Sequence, residues 1–251
     1  MENNVKILQP NKLIMTAIQL LLPIIIYIVI QLHVSWTWWL ATFVFYFVYC
    51  CIGNNIALHK FYSHKQFDIN PVTEIFFAWA SAISCLGSPI SYAIPHLVHH
   101  KYPDTDLDPH GPTVGIKSLL YYFHRHLHIN DRTIYSKRVV ELAKRYKLLH
   151  KYYWGFVVLN IILFYLIGGI NAVIFCWALP ACLTLWAVSL AIYLQHNGGS
   201  ASNNRYYSWF GWGEGLHLNH HLSPMISNTA MHIHEFDYSH AIARLFATKF
   251  R

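Results

Sequence analysis

Residues 35–64, SWTWWLATFVFYFVYCCIGNNIALHKFYSH, carry an apolar, aromatic-rich run directly into a pair of histidines, His59 and His64. About 20 mostly apolar residues suffice to cross the hydrocarbon core of a bilayer, and the stretch from 35 to 53 comes close to that length. A spanning helix followed by HKFYSH delivers two imidazoles just outside the hydrocarbon boundary. Two further clusters lie downstream: His96, His99 and His100 in HLVHH, and His217, His220 and His221 in HLNHH. His196, in LQHNGG, is a ninth candidate.

Three more apolar runs extend the pattern, at residues 13–32 (with Pro23 as an expected kink), 154–167 and 172–194 (with Pro180). His33-Val34 joins the first two runs, and Gly168-Gly169-Ile170-Asn171 joins the last two. The expected architecture is an all-α integral membrane protein with four transmembrane helices in two hairpins. Residues 54–153 and 195–251 form a helical cap, and residues 1–251 make one domain. All 18 Lys and Arg fall on the side of the cap, from Lys6 and Lys12 through Lys60–Lys151 to Arg251, and the two connecting turns carry none. Cationic residues concentrate on the cytoplasmic side of membrane proteins, so the cap is expected to be cytoplasmic. The run 75–95 competes as a fifth span. It is interrupted by Ser81, Ser84, Gly87, Ser88, Pro89 and Ser91, and crossing would separate the second histidine cluster from the first. An in-plane or partly buried helix costs less.

Composition agrees. The chain is 55% hydrophobic and 12% charged, against about 25% charged in a soluble domain. Its net charge of +7 follows the membrane topology and lacks a groove-reading helix or an aromatic platform, so no nucleic-acid partner is expected. The five cysteines, Cys50, Cys51, Cys85, Cys176 and Cys182, sit in apolar segments without metal-type spacing and read as buried free thiols. The polar N-terminal stretch MENNVKILQPNK shows no cleavable signal.

Neutral imidazole suits iron, zinc, copper and nickel. Eight or nine such ligands exceed the six of a filled octahedral ion, so the clusters imply two metal ions close together. At about 100° per residue, HxxHH places three imidazoles within one helix face, whereas HxxxxH leaves His59 and His64 about 140° apart on an ideal α-helix. The first pair therefore requires a helix end or a distorted helix. His124, His126 and His128 alternate in FHRHLH and read as solvated or interfacial. His33, His150, His232, His234 and His240 read as surface positions.

The segments HKFYSHKQF (59–67), GSPISYAIPHLVHHKYPDTDLDPHGP (87–112) and GEGLHLNHHLSP (213–224) resemble the membrane fatty acid desaturases, and most of all their acyl-CoA delta-9 branch. The resemblance runs from about 39 to 246. It implies a di-iron oxidoreductase that inserts a cis double bond into a saturated acyl chain with dioxygen and two electrons. It further implies two iron ions, one held by His59, His64, His96, His100 and His220 and the other by His99, His196, His217 and His221. No catalytic residues beyond these ligands are singled out. Three departures stand out. The family's asparagine four residues before the His196 position is Ile192 here, so either Gln195 or Asn197 substitutes or the site is one contact poorer. The loop from His196 to GEG is short, and Leu97 stands where a basic residue is common.

Mid-chain methylenes have no polarising neighbour, so acid–base chemistry cannot remove their hydrogen, whereas a metal centre that activates dioxygen can. Asp104, Asp106, Asp108 and Glu214 are candidates to orient ring N–H groups. Phe43, Tyr46 and Phe47 share a helix face by their i, i+3, i+4 spacing and are candidates for the blind end of an acyl tunnel. The expected partners are the fatty acyl substrate, the bilayer and a separate electron donor, a ferredoxin or a small cytochrome. A hydroxylase or related oxygenase on the same scaffold is the rival reaction. A metal transporter is the rival class, although transport sites lie near the bilayer midplane on the spans.

Overall fold

The computed structural model describes residues 11–110, 112–124, 136–196 and 199–251. Lys6, His126, His128 and Asn197, invoked above, lie outside them. The described chain is mostly helical. Three helices are long and apolar enough to cross a membrane: α1 (Lys12–Gln31), α2 (Trp36–Ser63) and α6 (Tyr153–Gln195). Between α2 and α6 lie α3 (Pro71–Ile83), α4 (Pro89–Lys101) and α5 (Lys137–Lys151). After α6 come the short helices α7 (Tyr207–Phe210), α8 (His217–Leu222) and α9 (Tyr238–Ala243).

Local chemistry sets the boundaries. The Asn11 side chain caps α1 by accepting the N–H groups of Leu13 and Ile14, and Pro23 falls in the first turn after a bend at Leu21, where its missing N–H is tolerated. The third and fourth apolar runs are the two arms of α6, which breaks at Gly168–Gly169. Gly169 sits at φ 63° and ψ −154°, a conformation open to glycine. The run 75–95 is not one helix. It divides into α3, capped by Asn70, and α4, capped by a reciprocal Ser88–Ser91 pair, so neither piece reaches spanning length.

The helix that carries the second apolar run continues past residue 53 to Ser63. It is α-helical through Tyr46 and then widens into a π-type helix from Phe47 to Ser63. The all-α reading missed a two-stranded antiparallel sheet, β1 (Phe67–Ile69) with β2 (Ala247–Phe250), which pairs Phe67 with Phe250 and Asp68 with Lys249. The missed strands are only three and four residues long, too short for a period-two pattern to register.

The wide part of α2 is the centre of the molecule. Residues 49–64 are buried throughout, and α3 and α4 pack against it. Close approach to α3 depends on Gly53, where an added Cβ would stand 2.6 Å from Ala80 O. Segment 112–124, wound as short 3₁₀ turns, packs against α1 and the second arm of α6. Buried polar side chains of α1 satisfy the backbone of residues 119–122, as apolar surroundings demand. Gln19 Nε2 donates to Leu119 O (2.9 Å) and Gln19 Oε1 accepts from Tyr121 N–H (3.1 Å), while Thr16 Oγ1 accepts from Tyr122 N–H (2.8 Å). All five cysteines are buried and free.

Gly53→Val should therefore lower stability by about 1–3 kcal/mol through overpacking against α3. Gly155→Ala, with nothing within 4 Å of the new Cβ, should not. Thermal-shift midpoints of the two variants in detergent check this.

Candidate metal centre and its cavity

The π-type winding resolves the spacing problem of His59 and His64. Its i→i+5 hydrogen bonds stack residues five apart, and His64 N–H donates to His59 O (3.2 Å). The two rings come to lie 5.2 Å apart. Each HxxHH cluster, on α4 and on α8, then divides between two groups. His96 and His100 join His59 and His64, while His99 turns away; His217 and His221 join His99 and His196, while His220 crosses over. One group is His59, His64, His96, His100 and His220, and the other is His99, His196, His217 and His221. Within each group the ligand-capable atoms all lie within 4.8 Å of one another. All nine candidate histidines are brought together.

The contacts within the groups run through Nε2. The Nε2 atoms are 2.8 Å apart for His59–His220, 2.7 Å for His64–His96 and 2.9 Å for His100–His220. In the second group they are 2.8 Å for His196–His217 and 3.1 Å for His99–His221. Ligands at about 2.1 Å from a shared ion and at right angles to each other stand about 3 Å apart. The opposite edge of three rings faces a carboxylate. Nδ1–H of His59 donates to Glu214 Oε1 (2.9 Å), that of His99 to Asp108 Oδ2 (2.8 Å) and that of His196 to Asp104 Oδ1 (3.0 Å). A proton on Nδ1 leaves Nε2 of a neutral ring as a bare lone pair. Lone pairs converging on one point repel unless a cation accepts them, so the donor set fits two metal ions. Of the four acidic candidates, Asp106 is exposed and makes no such contact in the groups.

Burial, reinforced by neighbouring imidazoles, holds His64, His96, His99, His217 and His220 well below the usual histidine range. The same causes lower His100, and they bring His221 down to about 4. Neutral rings are the metal-binding form. Competition from protons is thereby moved below the ordinary histidine range.

A buried ion pair anchors the first cluster from behind. Lys60 Nζ donates to Asp237 Oδ2 (3.1 Å) and to Ser227 O (2.6 Å). Burial alone would raise the Asp237 carboxyl, but Lys60 and the N–H groups of Thr229 and His240 bring it down to about 2. Asp237 also caps α9. Nothing in the sequence linked positions 177 residues apart.

Both groups open onto one cavity of about 110 Å³. A cavity of about 150 Å³ with apolar walls takes a benzene-sized group, so this one has room for part of an alkyl chain. His59 and His96 of one group and His99, His196 and His217 of the other line it, facing Met15, Leu86, Val188, Ala191 and Ile192. Gln195 lines it too: Nε2 donates to Glu214 O (2.8 Å), and Oε1 has no partner among the described residues. His110 and His124 also line it. His124 is buried, donates through Nε2 to Ser118 O (2.8 Å) and is pushed down by burial to about 4, which corrects its reading as solvated. His150 is half-buried and bonds Ser88 Oγ (2.7 Å), and His240 is half-buried against Ser227. His33, His232 and His234 are exposed. Sequence reasoning passed over His110, although DPH at 108–110 was its signal.

Phe43, Tyr46 and Phe47 lie elsewhere. Phe43 and Phe47 set their rings edge-on to Trp212, at 6.1 and 4.9 Å, and Tyr46 OH donates to Phe210 O (2.9 Å). They do share a face, but it turns toward the 210–212 loop. None lines the cavity beside the imidazoles. Phe43 and Tyr46 line a second, apolar pocket with residues of α1 and of the second arm of α6.

Asp108→Asn and Glu214→Gln are each expected to weaken metal binding by about ten- to a hundredfold, as loss of a ligand-orienting carboxylate does. Asp106→Asn should not. Metal retained per chain against a competing chelator measures the difference.

Residues 13–250 match the family model for fatty acid desaturases. The chain is similar to the acyl-CoA C20 Delta5-desaturase of Anemone leveillei, at 28% identity over 74% of this chain and 64% of that protein. It is similar to delta-9 acyl-lipid desaturase 2 of Arabidopsis thaliana, at 25% identity over 85% and 73%. The sn-1 stearoyl-lipid 9-desaturase of Anabaena variabilis is 28% identical over 74% and 72%. The chain thus spans slightly under two thirds of the Anemone enzyme's length. With nine histidines gathered beside an apolar cavity and a family match over nearly its whole length, this chain belongs to the fatty acid desaturase family.

Proposed function

We propose that the protein is a di-iron acyl desaturase that introduces a cis double bond, at carbon 9, into a saturated acyl chain carried by CoA or a related carrier, using dioxygen and two electrons. The observation that supports this most is the shared wall: members of both imidazole groups face one apolar cavity. A pair of iron ions, when bound, supplies the activation of dioxygen that unactivated methylenes require. The nine histidines are the proposed ligands, in the two groups described. Asp104, Asp108 and Glu214 keep the Nδ1 protons in place, so the lone pairs at Nε2 stay aimed. The apolar wall excludes water and holds the chain against both groups. The Gln195 amide oxygen takes the role that the family's asparagine plays, because Ile192 cannot.

In this reading α1, α2 and the two arms of α6 make four crossings. The histidines then lie at the cytoplasmic boundary, where the basic residues concentrate. Electrons arrive from a ferredoxin or a small cytochrome docking on that face. The acyl tail continues from the cavity toward Phe43 and Tyr46, which lie about two turns back along α2 beside the second pocket.

Expression in a host of known lipid composition, with dimethyl disulfide mapping of new double bonds, tests the reaction. The expected product is a new alkene, lost together with bound iron on His99→Ala. A hydroxylated chain would identify an oxygenase instead, and metal uptake without any lipid change would identify a transporter. Phe43→Ala should shift products toward longer chains; an unchanged chain-length profile removes Phe43 from the tunnel.

A further inference from the structure

The cavity lining carries polar residues besides the two metal groups. Tyr121 is one of them, and its hydroxyl is buried with no hydrogen-bond partner among the described residues. A buried hydroxyl left unpaired costs about 1–3 kcal/mol, so an unpaired donor on a cavity-lining residue points to a ligand acceptor. Lys12, half-buried as the first residue of α1, lines the same cavity. Both converge on His124: Lys12 Nζ donates to its carbonyl oxygen, and the Tyr121 ring lies 4.6 Å from its imidazole.

We infer that Tyr121 and Lys12 bind the carbonyl oxygen of the acyl head group, whether thioester or ester, and so set which carbons reach the metal groups. The inference rests on the desaturase reading and deepens it. A row of rings measures the interval. His124 lies 5.7 Å from His110, and His110 lies 5.6 Å from His99. An extended chain advances about 1.2 Å per bond, so the two steps together span at most the reach of about nine bonds. Met15, Leu86 and Val188 supply apolar wall to the same cavity. Relatives named for position 5 and for position 9 both match this chain. A determinant of position is therefore expected outside the histidine clusters, and the head-group end of the cavity is such a place.

The test uses the full chain with two saturated substrates in parallel, an acyl-CoA and the same acyl group esterified in a phospholipid. Double-bond position, kcat/KM and bound iron are read for wild type, Tyr121→Phe, Lys12→Met and Lys12→Arg. Tyr121→Phe and Lys12→Met should each lower kcat/KM by about two- to tenfold, the worth of one hydrogen bond. Both should also spread the product over neighbouring positions while iron stays at the wild-type level. Lys12→Arg, keeping a cationic donor, should restore most of the rate. A larger loss with the acyl-CoA identifies the thioester as the natural head group, and a larger loss with the phospholipid identifies the ester. A single unchanged position with kcat/KM within twofold of wild type in both Tyr121→Phe and Lys12→Met overturns the anchor. A wild-type chain that makes no alkene from either substrate overturns the desaturase reading, and the anchor with it.

Discussion

Nine imidazoles can share so small a volume only if their ring nitrogens are sorted, with Nε2 turned inward as bare lone pairs and Nδ1 protons drawn outward. The carboxylates of Glu214, Asp108 and Asp104 do the sorting for His59, His99 and His196. Each comes from a part of the chain distant from at least one of its neighbours in the cluster. The arrangement also explains the depth of the burial. Solvent would hydrate the lone pairs and protonate the rings, whereas the dry interior holds seven of them below the ordinary histidine range.

The two HxxHH helices meet this constraint reciprocally. On α4 the i, i+4 pair His96 and His100 serves one group and His99 the other. On α8 the i, i+4 pair His217 and His221 serves the second group and His220 the first. Adjacent residues about 100° apart on a helix are suited to reach two centres side by side. The groups consequently abut, with His100 and His221 stacked at 4.5 Å.

Much of this was legible in the chain. The apolar runs, their flanking charges and the clustering of histidines are local properties, readable because membrane helices are long and their composition extreme. That the run 75–95 does not cross followed from its serines, Gly87 and Pro89, whereas its division into α3 and α4 was seen only in the structure. The readings that changed share one feature, dependence on neighbours. His124 looked solvated because FHRHLH is polar, but segment 112–124 packs against α1 and α6 and buries it. Phe43, Tyr46 and Phe47 share a face, but only the packing of the 210–212 loop decided what that face meets. Lys60 stands between two aromatic-flanked histidines like any cap lysine, yet it is buried against Asp237.

The amino-acid sequence by itself determined the membrane class, the three histidine clusters and the family, because residue type and spacing are enough to state them. The tertiary structure decided the rest. It widened α2 so that residues five apart could face one point, split each HxxHH between two groups, and brought Tyr121 and Lys12 into the lining of the same cavity. These outcomes turn on helix winding and on contacts between residues as distant as His59 and His220, 161 positions apart. No local pattern encodes such contacts, since their energy exists only once the partners are packed together.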